Sequence, residues 1–394
     1  MPTQKTFTIG IEEEFQLVDR DTYALRSHVS EMIKATRPTL GDQVKQEILQ
    51  SVVEVGTKVC QNMDEAAEQV RLLRAALGHV AAQDGFYIAA AGTHPWSDWR
   101  DQEITEHERY RSLVQDMQDV VRALTIFGLH VHIGVEDRQR AIEIMNEARY
   151  FLPHLLAISA NSPFWNGRRT GLHSYRCVVW NRFPRTGIPD SFTSYDEFEN
   201  LIDSMVRTGC IDDAKRIWWD IRPHPYFNTL EFRICDMQTS ADETLCLAAL
   251  MQAIVAKLYR LRERNLGYRQ YHRNLLMENR WRAMRHGLEG NLIDFGKEQE
   301  VPFVDLVEEL LMFVDEVVDD LDSRPYVEYV RTMFAHGNGA QRQLETFRRT
   351  GNLRAVMERV AAETQVMVAP TPEWIVQAED LVRELEPAFG LAPA

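Results

Sequence analysis

The chain lacks the marks of a secreted or membrane-bound protein. Its five cysteines are scattered and odd in number, and no pair has the CxxC spacing of a redox or zinc motif. The opening residues MPTQKTFT lack the charged and then apolar pattern of a signal peptide. No apolar run approaches the roughly 20 residues that span a bilayer, and residues 245–259, which come closest, are interrupted by Gln252 and Lys257. These absences predict reduced thiols, a cytoplasmic location and a buried helix at 245–259.

Familiar phosphate-binding and nucleophile motifs are also missing. The chain contains no GxxxxGK[ST], no GxGxxG and no GxSxG, so a P-loop is excluded as a phosphate cradle. Positive charge is scarce as well, since 44 Lys and Arg face 59 Asp and Glu, for a formal net charge of −15. Such a chain is not expected to bind nucleic acid or an anionic membrane through its overall field. Metal ions and local arginines would have to neutralise the phosphates of any bound nucleotide.

Three short segments combine apolar residues on one parity with ionisable residues on the other. They are residues 7–18 (FTIGIEEEFQLV), 128–135 (GLHVHIGV) and 229–236 (TLEFRICD). Because successive side chains of a strand point to opposite faces of a sheet, each segment predicts one core face and one polar face. The polar faces carry Glu12 and Glu14, His130 and His132, and Glu231 and Arg233. Carboxylate and imidazole ligands suit divalent cations, so a metal-dependent enzyme is the first hypothesis.

Three other glutamates are placed less simply. Glu13 has the apolar parity of its strand, which favours a structural role, and it is left out of the predicted site. Glu47 and Glu54 lie in one extended segment, residues 47–57, but their parity differs, so a single regular strand would put them on opposite faces. They reach one site only if a bulge or turn intervenes, for which Gln50 and Ser51 are the candidates.

The chain alternates strand-like and helix-like segments up to about Asp242 and is almost wholly helical beyond it. Predicted helices are 64–83, 106–124, 138–159, 195–207 and 303–321, and further strands are 85–91 and 218–222. Acidic residues between the apolar positions of 303–321 predict a solvated face. A sheet with helices on one side and a helical C-terminal part is an α+β fold. We expect a single catalytic domain, 1–394, with a sheet-containing core at about 5–265 and a helical part at about 266–394.

Residues 161–190 are predicted to be irregular and mix arginines with aromatic side chains. The group comprises Arg168, Arg169, Arg176, Arg182 and Arg185 with Trp165, Tyr175 and Trp180. This mixture suits recognition of a small anionic substrate, although stacking that only holds the loop together explains it equally well. Arg233 has two interpretations too: an ordinary ion pair with Glu231, or a bidentate grip on a phosphate or carboxylate beside a metal cluster.

Eight segments together resemble a known family. They are GIEEEF at Gly10, SVVEVGT at Ser51, GLHVHIGV at Gly128, NSPFWNG at Asn161, SYR at Ser174, TLEFRICD at Thr229, NRWRAMRHGL at Asn279 and GNGAQRQ at Gly337. In this order they resemble the YbdK-like carboxylate–amine ligases, also called the type 2 glutamate–cysteine ligase family. The resemblance implies a glutamine-synthetase-like catalytic fold, in which the concave face of a curved antiparallel sheet binds metal and ATP.

The resemblance also implies roles for individual residues. Glu12, Glu47 and Glu54 would hold one magnesium group, and Glu14, His130 and Glu231 another, with Mn²⁺ as the alternative metal. Arg233 would contact the transferring phosphate, and Arg233 and Glu54 would act in the chemical step. His132 and Arg176 would bind substrate. Arg169 stands where many relatives have an acidic residue, so the substrate end of the 161–190 loop departs from the family pattern.

The activity that the resemblance implies is ATP-dependent joining of a small-molecule carboxylate to an amine through an acyl phosphate. Glutamate and cysteine are the default pair, although the family label is broader than one pair and the activity on them can be weak. Three alternatives stay open: a guanidino-kinase-like phosphotransferase of the same fold, a hydrolase that binds metal through the HxH histidines, and a non-catalytic binder of metal-nucleotide. Homo-oligomerisation is left open as well.

Overall fold

The computed structural model describes residues 7–365, and residues 366–394 of the predicted helical part lie outside them. The strands are β1 (Ile9–Asp19), β2 (Val44–Gln46), β3 (Val52–Gly56), β4 (Phe86–Ala89), β5 (Gly128–Gly134), β6 (Phe164–Trp165), β7 (Arg168–Arg169), β8 (Thr186–Gly187), β9 (Trp218–Trp219), β10 (Ile221–Pro223), β11 (Thr229–Asp236), β12 (Asn291–Asp294) and β13 (Gln299–Pro302).

The helices cover more of the chain than the strands do. They are α1 (Val29–Leu40), α2 (Met63–Gln83), α3 (Glu108–Met117), α4 (Asp119–Arg122), α5 (Arg138–Ala148), α6 (Leu152–Ser159), α7 (Arg176–Trp180), α8 (Tyr195–Arg207), α9 (Ala241–Glu263), α10 (Arg273–His286), α11 (Phe303–Val318), α12 (Arg324–His336), α13 (Gly339–Thr350) and α14 (Leu353–Gln365). Mixed helix and antiparallel sheet of this kind confirms the predicted α+β class.

The main sheet is antiparallel and has the order β10-β11-β5-β1-β3-β2, with β4 paired to the far end of β1. The predicted strands around Glu12, His130 and Glu231 are therefore neighbours in it. Their register places Glu12 opposite His130 on β5, and Glu231 opposite His132. On the other side of β1, Glu14 lies opposite Glu54 of β3. One face of the sheet thus collects the ionisable side chains, as the alternation predicts.

The opposite face of the sheet is covered by helices and forms the core. Ile11, Val131 and Phe232 belong to one buried cluster that includes the apolar side chains of α9. Helix α9 begins at a capping box made by Ser240 and Glu243. It is long and apolar enough to cross a membrane by composition, but 83% of its most apolar window is buried inside the protein. The prediction of a buried helix at 245–259 is therefore confirmed.

Two predicted helices are each broken in the structure. Residues 138–159 form α5 and α6 with a short 3-10 turn between them, because Pro153 in the first turn of α6 lacks the N–H that a continuous helix would need. Residues 106–124 form α3 and α4, which are separated at Gln118, where φ is +50°. The loop at 161–190 is mostly irregular, as predicted, but it contains the short helix α7.

The prediction that the chain beyond Asp242 is almost wholly helical is wrong at one point. Strands β12 and β13 form an antiparallel hairpin there, apart from the main sheet. The acidic side of α11 is exposed to solvent, as predicted, and several of its carboxylates pair with basic side chains at the surface. Arg324 contacts Asp315 and Asp319, and Arg331 contacts Glu308.

Candidate active site

All nine residues predicted for the site line one cavity of about 420 Å³ on the open face of the main sheet. They are Glu12, Glu14, Glu47, Glu54, His130, His132, Arg176, Glu231 and Arg233. The strand register explains why they converge, because cross-strand neighbours on one face of an antiparallel pair lie only about 5 Å apart at Cβ. The structure therefore brings together side chains that are up to 221 positions apart in the chain, from Glu12 to Arg233.

Two groups of ligand atoms are close enough to share a cation. One oxygen each of Glu12 and Glu231 and one nitrogen of His130 lie within 4.8 Å of one another, and so do the corresponding atoms of Glu14, Glu54 and His130. His130 belongs to both groups. The resemblance implied different sets, with Glu12 beside Glu47 and Glu54, so the structure combines five of the six residues differently and leaves Glu47 outside both groups.

Glu47 reaches the cavity because the extended segment around it is not one strand. A bend and a turn at residues 48–51 separate β2 from β3, which resolves the parity conflict at the position predicted for a turn. The backbone N–H of Ile48 donates to the Glu47 carboxylate at 3.3 Å. Burial, together with the nearby charge of Glu14, raises the pKa of Glu47 to about 7.

The other carboxylates divide into two electrostatic types. Burial raises the pKa of Glu14 to about 7, and burial with the charges of Glu12 and Glu47 raises that of Glu54 to about 8. In contrast, burial is outweighed at Glu12 by hydrogen bonds with His130 and His132, which hold its pKa well below the usual range.

Glu231 belongs to the second type, since the guanidinium groups of Arg233 and Arg222 outweigh its burial and lower its pKa. Burial lowers the pKa of His130 to about 3, so this imidazole is neutral. A neutral imidazole is the form that can coordinate a metal.

Two arginines hold Glu231, one from the neighbouring strand β10 and one from β11 itself. Arg222 of β10 donates from Nε to Oε2 at 2.7 Å and from Nη2 to Oε1 at 3.3 Å, and Arg233 also pairs with this carboxylate. Among the described residues, Nε of Arg233 is buried without a hydrogen-bond partner, so this arginine keeps donor capacity for a ligand. Arg222 was not predicted, but counting the register of the expected strand pair would have placed it opposite Glu231.

Arg176 lies deeper in the cavity, against the bulge in β11. The register of β11 on β5 shifts between Phe232 and Cys235, and the carbonyls of Arg233 and Ile234 at this bulge accept hydrogen bonds from Arg176, each at 3.3 Å. A Cβ at Gly128 would collide with the Arg176 guanidinium. Glycine at this position therefore makes room for the arginine, which the sequence pattern alone could not reveal.

His132 lies towards the mouth of the cavity. Its Nδ1 is 3.2 Å from Oγ1 of Thr229, and its ring contacts the ring of His224 edge-on, with centroids 5.3 Å apart. His224 in turn stacks on the exposed Phe227. These rim residues were not predicted, because the turn between β10 and β11 carries no pattern that distinguishes it from an ordinary loop.

The donor set fits a divalent cation of the Mg²⁺ or Mn²⁺ type. The candidate ligands in the cavity are five carboxylates and the neutral imidazole of His130, and oxygen-rich sets of this kind suit these ions better than zinc. Burial raises the pKa values of three of the carboxylates, and a bound divalent cation would favour their ionised form. Only one of the two HxH histidines, His130, belongs to a candidate metal group among residues 7–365.

The fold and site together define the class. A crystal structure of glutamate–cysteine ligase from Francisella tularensis in complex with AMP superposes with a TM-score of 0.66 and 13% sequence identity, covering 99% of this chain and 96% of that one. At this level of identity the similarity concerns the fold, which is that of a glutamate–cysteine ligase, with the carboxylate-rich cavity on the open face of its sheet.

Sequence comparison identifies the family. The model of glutamate–cysteine ligase family 2 (GCS2) matches residues 8–359. A relative from Solibacter usitatus is 56% identical over 361 residues, which cover 91% of this chain and 94% of the relative, and one from Herpetosiphon aurantiacus is 51% identical over 358 residues, which cover 91% and 93%. Both are named "Putative glutamate--cysteine ligase 2". The chain belongs to glutamate–cysteine ligase family 2, an ATP-dependent carbon–nitrogen ligase family, which confirms the resemblance in its sequence.

Proposed function

We propose that the protein uses ATP and Mg²⁺ to join the carboxylate of glutamate to the amine of cysteine through an acyl phosphate. The family and the names of its relatives support this pair of substrates. The observation that carries the chemical part is the convergence of five carboxylates, a neutral imidazole and buried arginines in one cavity. Mn²⁺ is proposed as an alternative metal, and a cytoplasmic location agrees with ATP as substrate and with the five free cysteines. Homo-oligomerisation stays an open prediction.

Metal binding is proposed for the carboxylates and His130. The residues that would hold magnesium are Glu12, Glu14, Glu47, Glu54, His130 and Glu231. Two groups among them already have ligand atoms within 4.8 Å of one another. Bound Mg²⁺ would neutralise the triphosphate and spread charge on the transferring phosphoryl group. In the protein itself, Glu231 is held in place by Arg222 and Arg233, so its carboxylate is oriented before any ligand arrives.

Arg233 is proposed to contact the transferring phosphate. It is buried, it retains an Nε donor without a partner among the described residues, and burial does not discharge it, because Glu231 raises its pKa. A fixed cation of this kind stabilises negative charge that develops as the substrate carboxylate attacks the γ-phosphorus. Glu54 is proposed to serve both as a metal ligand and in the chemical step.

Arg176 and His132 are proposed to bind the substrates. Arg176 presents a guanidinium at the deep end of the cavity, and its Nε is also buried without a partner within residues 7–365. A planar guanidinium matches a carboxylate geometrically. His132 occupies the other end, near the rim formed by the β10–β11 turn, where it would face the incoming amine.

An assay of ADP release tests the proposal. Purified protein with ATP, Mg²⁺, glutamate and a panel of amines that includes cysteine should release ADP only when carboxylate and amine are both present, and mass spectrometry should detect the amide. Hydroxylamine in place of the amine should trap the acyl phosphate as a hydroxamate. Failure of every carboxylate–amine pair to stimulate ADP release would contradict the proposal.

The same assay separates the alternatives. A guanidino-kinase-like enzyme would leave a stable phosphorylated product and no amide. An HxH hydrolase would turn over without ATP, and a non-catalytic binder would bind nucleotide without any turnover. Membership of a ligase family favours the ligase over all three. The hydrolase is further disfavoured, since only His130 of the two histidines belongs to a candidate metal group among the described residues.

A further inference from the structure

Lys45 lines the cavity beside the proposed metal ligands, yet the proposed chemistry gives it no role. The ammonium of Lys45 lies 3.0 Å from Oε1 of Glu12 and 3.1 Å from Oε1 of Glu54. The two carboxylates come from the adjacent strands β1 and β3, and Lys45 comes from the edge strand β2, opposite Glu54 in the register. Nζ of Lys45 therefore bridges two side chains that are proposed to hold a divalent cation.

A metal ion bound to Glu12 and Glu54 cannot occupy this space together with Nζ of Lys45. A divalent ion bound by both carboxylates would lie about 2.0–2.6 Å from their oxygens, in the space that Nζ now takes. Two cations held so close together repel strongly where the surroundings are partly desolvated. A metal that binds Glu12 and Glu54 together therefore requires the ammonium to move away.

The side chain of Lys45 is free to make this movement. It is 47% exposed, whereas the side chain of Glu54 is only 8% exposed. Strand β2 is three residues long and lies at the end of the sheet, and a lysine carries its charge on a flexible four-carbon stem. The ammonium can swing towards the mouth of the cavity while the carboxylates stay where the sheet holds them.

We propose that Lys45 is a built-in counter-ion that exchanges with the divalent cation. It neutralises Glu12 and Glu54 in the metal-free enzyme and is displaced when the metal binds. The proposal rests on the proposed function, because it takes Glu12 and Glu54 as ligands of one ion, the pairing that the family resemblance implies, whereas the two groups within 4.8 Å hold them separately. Lys45 is thus a positioning residue, which stabilises the carboxylate cluster without metal and raises the metal concentration at which the site fills.

Binding of Mn²⁺ to the nucleotide-free protein tests the exchange without any measurement of turnover. Titration followed by electron paramagnetic resonance or calorimetry should show that Lys45→Met binds Mn²⁺ roughly tenfold more tightly than wild type, the scale expected when two half-exposed ion pairs no longer compete. Lys45→Arg keeps the charge and should bind Mn²⁺ about as wild type does. Lys45→Gln provides a second neutral variant should Lys45→Met fold poorly.

Lys215 provides a matched control. It lines the same cavity, but its Nζ lies over the ring of Tyr226, 4.6 Å from the centroid, rather than between carboxylates. Lys215→Met removes the same charge from the cavity and should change Mn²⁺ affinity much less than Lys45→Met does. An equal gain in both variants would overturn the exchange, because it would show a general effect of net charge.

Melting temperature supplies a second measurement. With chelator present, Lys45→Met should melt below wild type, because Glu12 and Glu54 lose their counter-ion, and Mn²⁺ should raise its melting temperature more than that of wild type. Mn²⁺ affinity in folded Lys45→Met and Lys45→Gln that equals or falls below that of wild type would refute the exchange. Glu54→Gln then separates two explanations. If this variant also binds Mn²⁺ as wild type does, the proposed metal site is refuted together with the exchange. If it loses Mn²⁺ binding, the metal site stands and only the exchange is refuted.

Discussion

Glu12, Glu13 and Glu14 are consecutive in β1, but Glu13 lies on one face of the sheet and its two neighbours lie on the other. The surroundings of these carboxylates therefore differ. Glu13 points into the helix-covered face and is buried, and Arg74 of α2 contacts both of its oxygens, with Nε at 3.0 Å from Oε2. The hydroxyl of Thr244 in α9 donates to the same carboxylate at 2.7 Å. On this face the charge has a fixed partner and joins the strand to two helices.

On the open face, carboxylates of neighbouring strands lie beside one another. Glu14 accepts a hydrogen bond from the backbone N–H of Gly128 and lies opposite Glu54, another carboxylate. Burial raises the pKa of both, and Glu54 shares the Lys45 ammonium with Glu12, whereas Arg74 pairs with Glu13. The comparison teaches that a buried charge with its own partner serves stability, whereas buried carboxylates gathered side by side form a site that a divalent cation can fill.

The largest effect is expected on the open face. Glu14→Gln or Glu12→Gln should lower the rate of ADP formation by roughly 100-fold or more, because each removes charge from the cluster that is proposed to hold Mg²⁺. Circular dichroism and melting should show a folded protein. Rates close to wild type in both variants would remove these residues from the site.

The reverse pattern is expected on the covered face. Arg74→Met should destabilise the protein by about 3–5 kcal/mol, because it leaves the Glu13 carboxylate buried without its cation. The measurement is the free energy of unfolding in denaturant. In the fraction that stays folded, KM values should remain near those of wild type, since neither residue lines the cavity.

The double variant Glu13→Gln/Arg74→Met sharpens this test. It should recover part of the lost stability, because no unpaired charge is left. If Arg74→Met instead destabilised the protein by less than about 1 kcal/mol, the range of exposed ion pairs, the pair would not be the buried anchor that its geometry indicates.

A smaller effect should appear in the dependence of stability on pH without metal. The pKa values of Glu14 and Glu47 are about 7 and that of Glu54 is about 8 in the folded protein, all above the ordinary value of 4.5. The folded state therefore binds more protons than the unfolded state between about pH 4.5 and 8, so this contribution to stability falls as pH rises through that window.

Mg²⁺ should offset the loss, because bound metal favours the ionised carboxylates. The rise in melting temperature on adding Mg²⁺ should be larger at about pH 8 than at about pH 6, as measured by thermal shift. Glu54→Gln should reduce this difference. A metal-induced rise that is the same at both pH values would show that these carboxylates do not take part in binding.

Much of the open face could be predicted because alternation in a strand is a local property. The parity of Glu12, His130 and Glu231 requires only that each segment is extended. The same rule placed Glu13 on the covered face. For Glu47, parity could show only that a turn was needed.

The residues of other segments that contact these side chains were harder to predict from the sequence. The pairing of β10 with β11 places Arg222 opposite Glu231, and the pairing of β2 with β3 places Lys45 opposite Glu54. Neither residue has neighbours in sequence that distinguish it from an ordinary surface charge. The break between α3 and α4 and the β12–β13 hairpin were missed because a single φ of +50° at Gln118, or a four-residue strand, leaves little periodicity to detect. The break before α6 could have been predicted, since Pro153 stands in the sequence.

The sequence by itself determined the family, the α+β class and the face on which each ionisable side chain of a strand lies, because these depend on order and parity along the chain. Only the tertiary structure decided which carboxylates share an ion, which arginine fixes Glu231 and where the Lys45 ammonium lies. These depend on strand register and on a bulge, which set distances between residues far apart in sequence, and electrostatic energies change steeply over such distances.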